Sequence, residues 1–173
     1  LVWQGEMASC VAPFAAIALD NSRGIYARIA SARAVMTCGT PKQKLNLWKK
    51  LNDSDFQIPH KLLAELIEGA EPDSYSVEQL VISLGKLTPY QRYKSTGLGQ
   101  TLHDFVEHLP VDGSQQAITR LLNGLNSYLN TQPYIDRREC SVSKKYAWLL
   151  SPAMHAIERL IIARSTVALD VTA

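Results

Sequence analysis

The feature that most constrains this chain is proline preceded by a residue that can end or start a helix. Thr40-Pro41, Thr88-Pro89 and Ser151-Pro152 each set an N-capping hydroxyl before a proline at the first helical position, where the missing N–H costs nothing. Thr88 with Gln91, and Ser76 with Gln79, have capping-box spacing. Ile58-Pro59 predicts another helix start, with Asp55 as a cap upstream. Gly39, Gly69 and Gly113 fall where helices should stop. This punctuation divides the chain into short and medium helices.

Apolar periodicity agrees with those boundaries. Ala117, Ile118, Leu121, Leu122, Leu125, Tyr128 and Leu129 form one wide face of a helix over 115–130. Leu102, Phe105, Val106 and Leu109 do the same over a helix ended by Pro110, and Leu62, Leu63, Leu66 and Ile67 do it again. The pattern predicts helices at about 3–19, 24–37, 41–52, 59–68, 76–86, 88–95, 100–109, 115–130, 143–150 and 152–164, some of them merging. The last is apolar round most of its circumference and is expected to be the central, most enclosed helix. Strand signals are confined to the tail after Thr166, and 130–140 reads as the longest loop. The fold class is therefore all-α, a multi-helix bundle of about eight to ten helices. It reads as one domain over 1–173, divisible into lobes 1–70 and 76–165 with a tail at 166–173.

Net charge is only +2, but it is unevenly spread. Residues 1–56 carry seven Lys/Arg against four Asp/Glu, and residues 113–173 carry seven against four, whereas residues 57–112 carry four against eight. Two mildly basic ends around an acidic middle permit a surface that faces a polyanion. Cys10, Cys38 and Cys140 are scattered and form no CxxC, which points to a reducing compartment and a cytoplasmic protein. No run approaches the roughly 18 apolar residues of a membrane span, so no membrane partner is expected. The start at Leu1 lacks both a signal-peptide n-region and an initiator Met. The expectation is a chain that lacks amino-terminal residues or belongs to something larger.

No catalytic constellation stands out. His103, Asp104, Glu107 and His108 cluster on one helix face opposite the apolar stripe, where a charged solvated face is the simpler reading than a metal site. The run from Lys94 through Gly97 and Gly99 to Gln100 has the composition of a phosphate-cradling loop. It inverts the Walker order, however, and follows no strand. His60 and His155 read as capping or core-edge residues, and Trp3, Trp48 and Trp148 as core. The expectation is a protein that is not an enzyme and uses no cofactor or metal.

Basic residues interleaved with aromatics recur three times, at Arg23–Arg28, Tyr90–Lys94 and Lys144–Trp148. A cation neutralises phosphate while an aromatic face stacks on an unpaired base. Each cluster also has a structural reading, because Arg and Lys stems cover apolar surface and Tyr packs with its hydroxyl in water. On a helix, Arg23, Tyr26, Ala30 and Arg33 fall along one edge, beside a core face of Ile25, Ile29, Ala32 and Met36. Tyr90, Tyr93 and Lys94 share a face, with Arg92 between them. Lys144 meets Trp148 at i, i+4 and reads as the capped edge of a core helix. The order of interest is thus Arg23–Arg33, then Tyr90–Lys94, then Lys144–Trp148.

The run from Asp20 to Ala34 resembles the early "RG-aromatic/aliphatic-A…RRA" helix of small subunits of CRISPR–Cas effector complexes, with Ala32 where an adjacent Arg would fall. Val81–Leu87 is similar to the "SLG(R/K)xL" segment of the Cascade-type small subunit. Gly97–Leu102 looks like the "NGLxQTL" stretch of the type III-B small subunit. The resemblance implies a non-catalytic helical bundle within an interference complex, with protein subunits and RNA or single-stranded DNA as partners. It places Arg23, Arg28, Arg33 and Lys86 at basic motif positions. On the nucleic-acid reading, Lys and Arg neutralise backbone charge and Tyr26, Tyr90 or Tyr93 is expected to stack on displaced bases. The alternative is a helical protein-interaction or regulatory domain of a larger polypeptide, its basic stripes merely solvated.

Overall fold

A computed structural model describes residues 8–89, 97–111, 116–137 and 140–163. Those residues form eight α-helices: α1 (Val11–Leu19), α2 (Ile25–Cys38), α3 (Pro41–Asp53), α4 (His60–Glu68), α5 (Ser74–Gly85), α6 (Leu98–His108), α7 (Gln116–Leu129) and α8 (Leu150–Ile162). An antiparallel hairpin of β1 (Tyr134–Arg137) and β2 (Cys140–Ser143) joins α7 to α8. The even-numbered helices pack in one row, α2 on α4 on α6 on α8. The odd-numbered helices pack in a second, α1 on α3 on α5 on α7. The rows close on each other through α1 with α2, α4 with α5 and α7 with α8, around one apolar cluster that runs from Val11 to Leu160. The bundle is all-α apart from the hairpin.

Several helix starts follow the sequence and several do not. Thr40 forms the full capping box: its hydroxyl accepts from Gln43 N–H, and Gln43 Oε1 accepts from Thr40 N–H at 2.9 Å. Gly39 and Gly69 end α2 and α4 as expected. At α5, however, Asp73 takes the cap expected of Ser76, accepting the Ser76 N–H at 2.8 Å, so the helix begins at Ser74. A carboxylate three residues ahead outcompetes a hydroxyl already inside the turn. Ser151 is not a cap either. α8 grows out of a 3-10 turn at Ala147–Leu149 and has started by Leu150. Asp55 does not cap α4, whose N-cap is Pro59. Gln91, Gly113 and most of the predicted 88–95 helix lie outside the described residues.

Two larger expectations are corrected. The predicted helix at 143–150 is the end of β2, a turn and the 3-10 turn, and the predicted loop at 130–140 contains β1. The two strands share one apolar cross-strand pair, half-buried Ile135 opposite buried Val142, too little alternation to show in the sequence. Nor is α8 the most enclosed helix. It ends its row, so Ala153, Ala156 and Leu160 face the bundle while Met154, Ile161 and Ile162 are exposed, Ile162 at 74%. That place belongs to α4, seven of whose nine residues are buried between its neighbours.

Two contacts fix how the rows sit. Gly124 of α7 lies where a Cβ would meet Val81 Cγ2 of α5 at 2.5 Å, so only glycine allows that helix crossing. Between α3 and α5, the Ser83 hydroxyl accepts from Trp48 Nε1 at 2.8 Å and donates to Asn52 Oδ1 at 2.7 Å. Asn52 Nδ2 in turn donates to the Gln79 carbonyl at 2.9 Å. Every polar group in that buried network is paired, which is what makes its burial tolerable.

Candidate nucleic-acid interface

The stripe on α2 exists as a surface. Arg23, Tyr26, Ala30 and Arg33 are all exposed, with Tyr26 at 79%, while Ile29, Ala32 and Met36 face the core. Ile25 differs from expectation and is itself partly exposed. The helix begins after Gly24, and Asp20 organises the turn before it. The Asp20 carboxylate accepts from Ser22 N–H at 2.9 Å, from the Ser22 hydroxyl at 2.6 Å and from Arg23 Nε at 3.2 Å. The Ser22 hydrogen bonds, with help from Arg23, hold its carboxyl below the usual range. Arg23 and Tyr26 therefore present a cation and a phenol ring to solvent, with one carboxylate beside them.

The other described basic positions, Arg28, Arg33 and Lys86, are paired with groups of the fold. Arg28 is only 4% exposed. Its Nε donates to the Ala18 carbonyl at 3.1 Å and one Nη donates to Asn21 Oδ1 at 2.7 Å, so it ties α2 to the end of α1. Burial pulls its guanidinium below the usual range and the Asp20 charge opposes that pull. Arg33 makes a two-pronged pair with Glu65 of α4, Nε to Oε2 at 2.6 Å and Nη2 to Oε1 at 2.5 Å. Glu65 is 5% exposed, and this bond and charge raise the Arg33 guanidinium further. Lys86 donates to the carbonyls of Asn52 and Ser54, the latter at 2.6 Å, placing its ammonium on the C-terminal end of the α3 dipole. Tyr90, Arg92, Tyr93 and Lys94 lie outside the described residues.

The cluster ranked last in the sequence is the best presented. Tyr146 is buried, its hydroxyl donating to the Leu84 carbonyl at 3.4 Å and its ring 4.9 Å from that of Tyr128. Leu149, Val142 and Ser143 are buried as well, and Thr131 donates to the Ser143 hydroxyl at 2.9 Å. The turn is further closed by Lys144 N–H on the Pro133 carbonyl at 2.8 Å. With those anchors inside, Lys144 and Lys145 have nowhere to point but outward, and both are exposed.

Beneath them is a cleft of about 580 Å³. One wall is the turn itself, Lys144 to Trp148. The other is a short bridge in which Ile58 N–H donates to the Lys86 carbonyl at 2.8 Å and Thr88 N–H to the Ile58 carbonyl at 3.0 Å, carrying Gln57, Leu87 and Pro89. Trp148 is half-buried, 6.1 Å from the His60 ring, and His60 Nε2 donates to the Thr88 carbonyl at 2.9 Å. Among the described residues lining the cleft, both charged groups are lysines and none is a carboxylate. Helical spacing alone would set Lys144 beside Trp148 on a core edge. The turn geometry that opens the cleft depends on the hairpin it did not show.

The His103–His108 face meets α8 across a second, more open groove of about 950 Å³. The His103 and His155 rings stack at 4.0 Å. His155 Nε2 lies 2.7 Å from Glu107 Oε2, and its Nδ1 lies 3.7 Å from Glu158. Among the described residues no group of three or more His, Cys, Asp or Glu is placed to hold a metal ion, and no helix is long and apolar enough to cross a membrane. Comparison with models of protein families, with curated proteins and with solved structures found no match in any of the three.

Proposed function

We propose that this chain is a non-catalytic α-helical nucleic-acid-binding subunit of a CRISPR-like interference ribonucleoprotein, cytoplasmic, contacting the backbone of a guide, target or displaced strand. The observation that carries the reading is the hairpin cleft, where two exposed ammonium groups flank a half-buried indole and no described lining residue is acidic. Arg23 with the exposed Tyr26 adds a second cation–aromatic pair. The bundle's short motifs and helical build are in keeping with that family's small subunits. Fluorescence anisotropy with a labelled single strand at several salt concentrations tests the reading. Binding that weakens as salt rises is expected. No binding at low salt, by the chain alone or in a reconstituted assembly, overturns it.

The exposed Met154, Ile161 and Ile162 on α8 favour a second reading, a helical protein-interaction or regulatory domain. A stable partner recovered after nuclease treatment, with no nucleic acid associated, is its expected result. Loss of that partner on nuclease treatment would count against it.

A further inference from the structure

Resting on the nucleic-acid reading, we infer that the hairpin cleft selects single strands, seating one unpaired base against Trp148 while Lys144 and Lys145 hold the phosphates on either side. Size supports this: about 580 Å³ falls in the range of roughly 300–1,000 Å³ that encloses small ligands, room for a nucleotide and not for a duplex. Chemistry supports it as well. The wall is an indole held near His60, the floor is apolar with Leu87 and Ile135, and the two cations sit at the rim. A phosphate-only site would need the lysines and not the aromatic wall or the apolar floor. A duplex keeps its bases stacked inside and could offer the cleft nothing but phosphates. Rigid walls matter too, because Lys144 is tied to Pro133 and Leu87 lies in the bridge with Ile58, so the gap exists before any ligand enters. Recognition here is tolerant of sequence, since each base has a face to stack.

The test uses the 173-residue chain and three labelled probes: an oligothymidylate of about twelve residues, an abasic strand of equal length, and a duplex of equal length. The wild-type chain should bind oligothymidylate about tenfold or more tighter than the abasic strand, and more tightly than the duplex. Trp148→Leu should erase that preference while leaving abasic binding unchanged, and Trp148→Phe should restore most of it. Lys144→Gln with Lys145→Gln should weaken all three probes and lower the salt slope by about 1.4 on single strands. Unchanged thermal melts and unchanged abasic binding separate a lost stack from a lost fold. Equal wild-type binding to oligothymidylate and abasic strand, or a preference that survives Trp148→Leu, overturns the base-seating cleft and leaves the nucleic-acid reading standing. No binding of any probe at low salt, by the chain alone and again in a reconstituted assembly, overturns both.

Discussion

The amino-terminal stripe and the hairpin turn carry similar residues and use them in opposite ways. On α2, Arg28 is buried on the Ala18 carbonyl and Arg33 is locked to the buried Glu65, so most of the cationic character read from the sequence is consumed by the fold. At the turn after β2, Val142, Ser143, Tyr146 and Leu149 do the anchoring, and the lysines are left over. The difference lies in what else is available to hold each segment. α2 is followed across the bundle by a helix that buries a carboxylate, and only an arginine fork can satisfy it. The turn is anchored by a phenol, a hydroxyl and aliphatic groups, which need no charge. Cations near a helix therefore say little about free positive potential until their partners are known.

The largest expected effects break the stripe. Arg28→Ala should remove the buried donors of the Ala18 carbonyl and Asn21 and leave a hole, costing about 3 kcal/mol. In a chain of this size that is a fall in Tm of roughly 6–12 °C. Arg33→Ala should cost about 2 kcal/mol by stranding the Glu65 carboxylate, discounted because Arg33 itself is largely exposed. Arg33→Ala with Glu65→Leu should recover most of that loss, since an apolar pair removes the uncompensated charge. Chemical denaturation of the two single variants and the double variant measures the coupling. If Arg33→Ala were neutral, the pair would be surface decoration and the contrast between the two regions would weaken. Lys86→Met should follow at about 1 kcal/mol, through the Asn52 and Ser54 carbonyls at the end of α3 that lose its ammonium.

Which parts of the molecule could be read in advance follows from the same contrast. The helices α2, α3, α4, α6 and α7 were legible because period and punctuation are local, and Thr40 caps α3 ahead of Pro41 as the sequence reading expected, with Gln43 completing a box that reading did not name. The hairpin was not, because its pairing of Ile135 with Val142 supplies a single apolar pair and takes its stability from Tyr146 and Thr131 reaching other elements. The exposed side of α8 was missed for a related reason. An apolar sequence shows that a helix can be buried, and its place at the end of a row decides how much of it is. For the site, the exposed edge of Arg23, Tyr26 and Arg33 was legible from helical spacing. The engagement of Arg28, Arg33 and Lys86 was not, because their partners are 10, 32 and 34 residues away.

The smallest stability effects fall where the binding effects should be largest. Lys144→Gln with Lys145→Gln should change stability by little, within about 0.5 kcal/mol, because neither ammonium holds the turn; Lys144 does so through its backbone N–H. Lys145 also lies 4.7 Å from the Tyr146 ring centroid, an exposed cation–π contact at the low end of such energies. Arg23→Gln should be smaller still, since its pair with Asp20 is exposed and screened by solvent and Ser22 continues to hold the Asp20 carboxylate. Set side by side, thermal melts should rank Arg28, Arg33, Lys86, the lysine pair and Arg23 in that order. Affinity for a single strand should place the lysine pair first. Were Arg23→Gln to weaken the strand more than the lysine pair does, the nucleic acid would run along α2 and the turn would be the bystander.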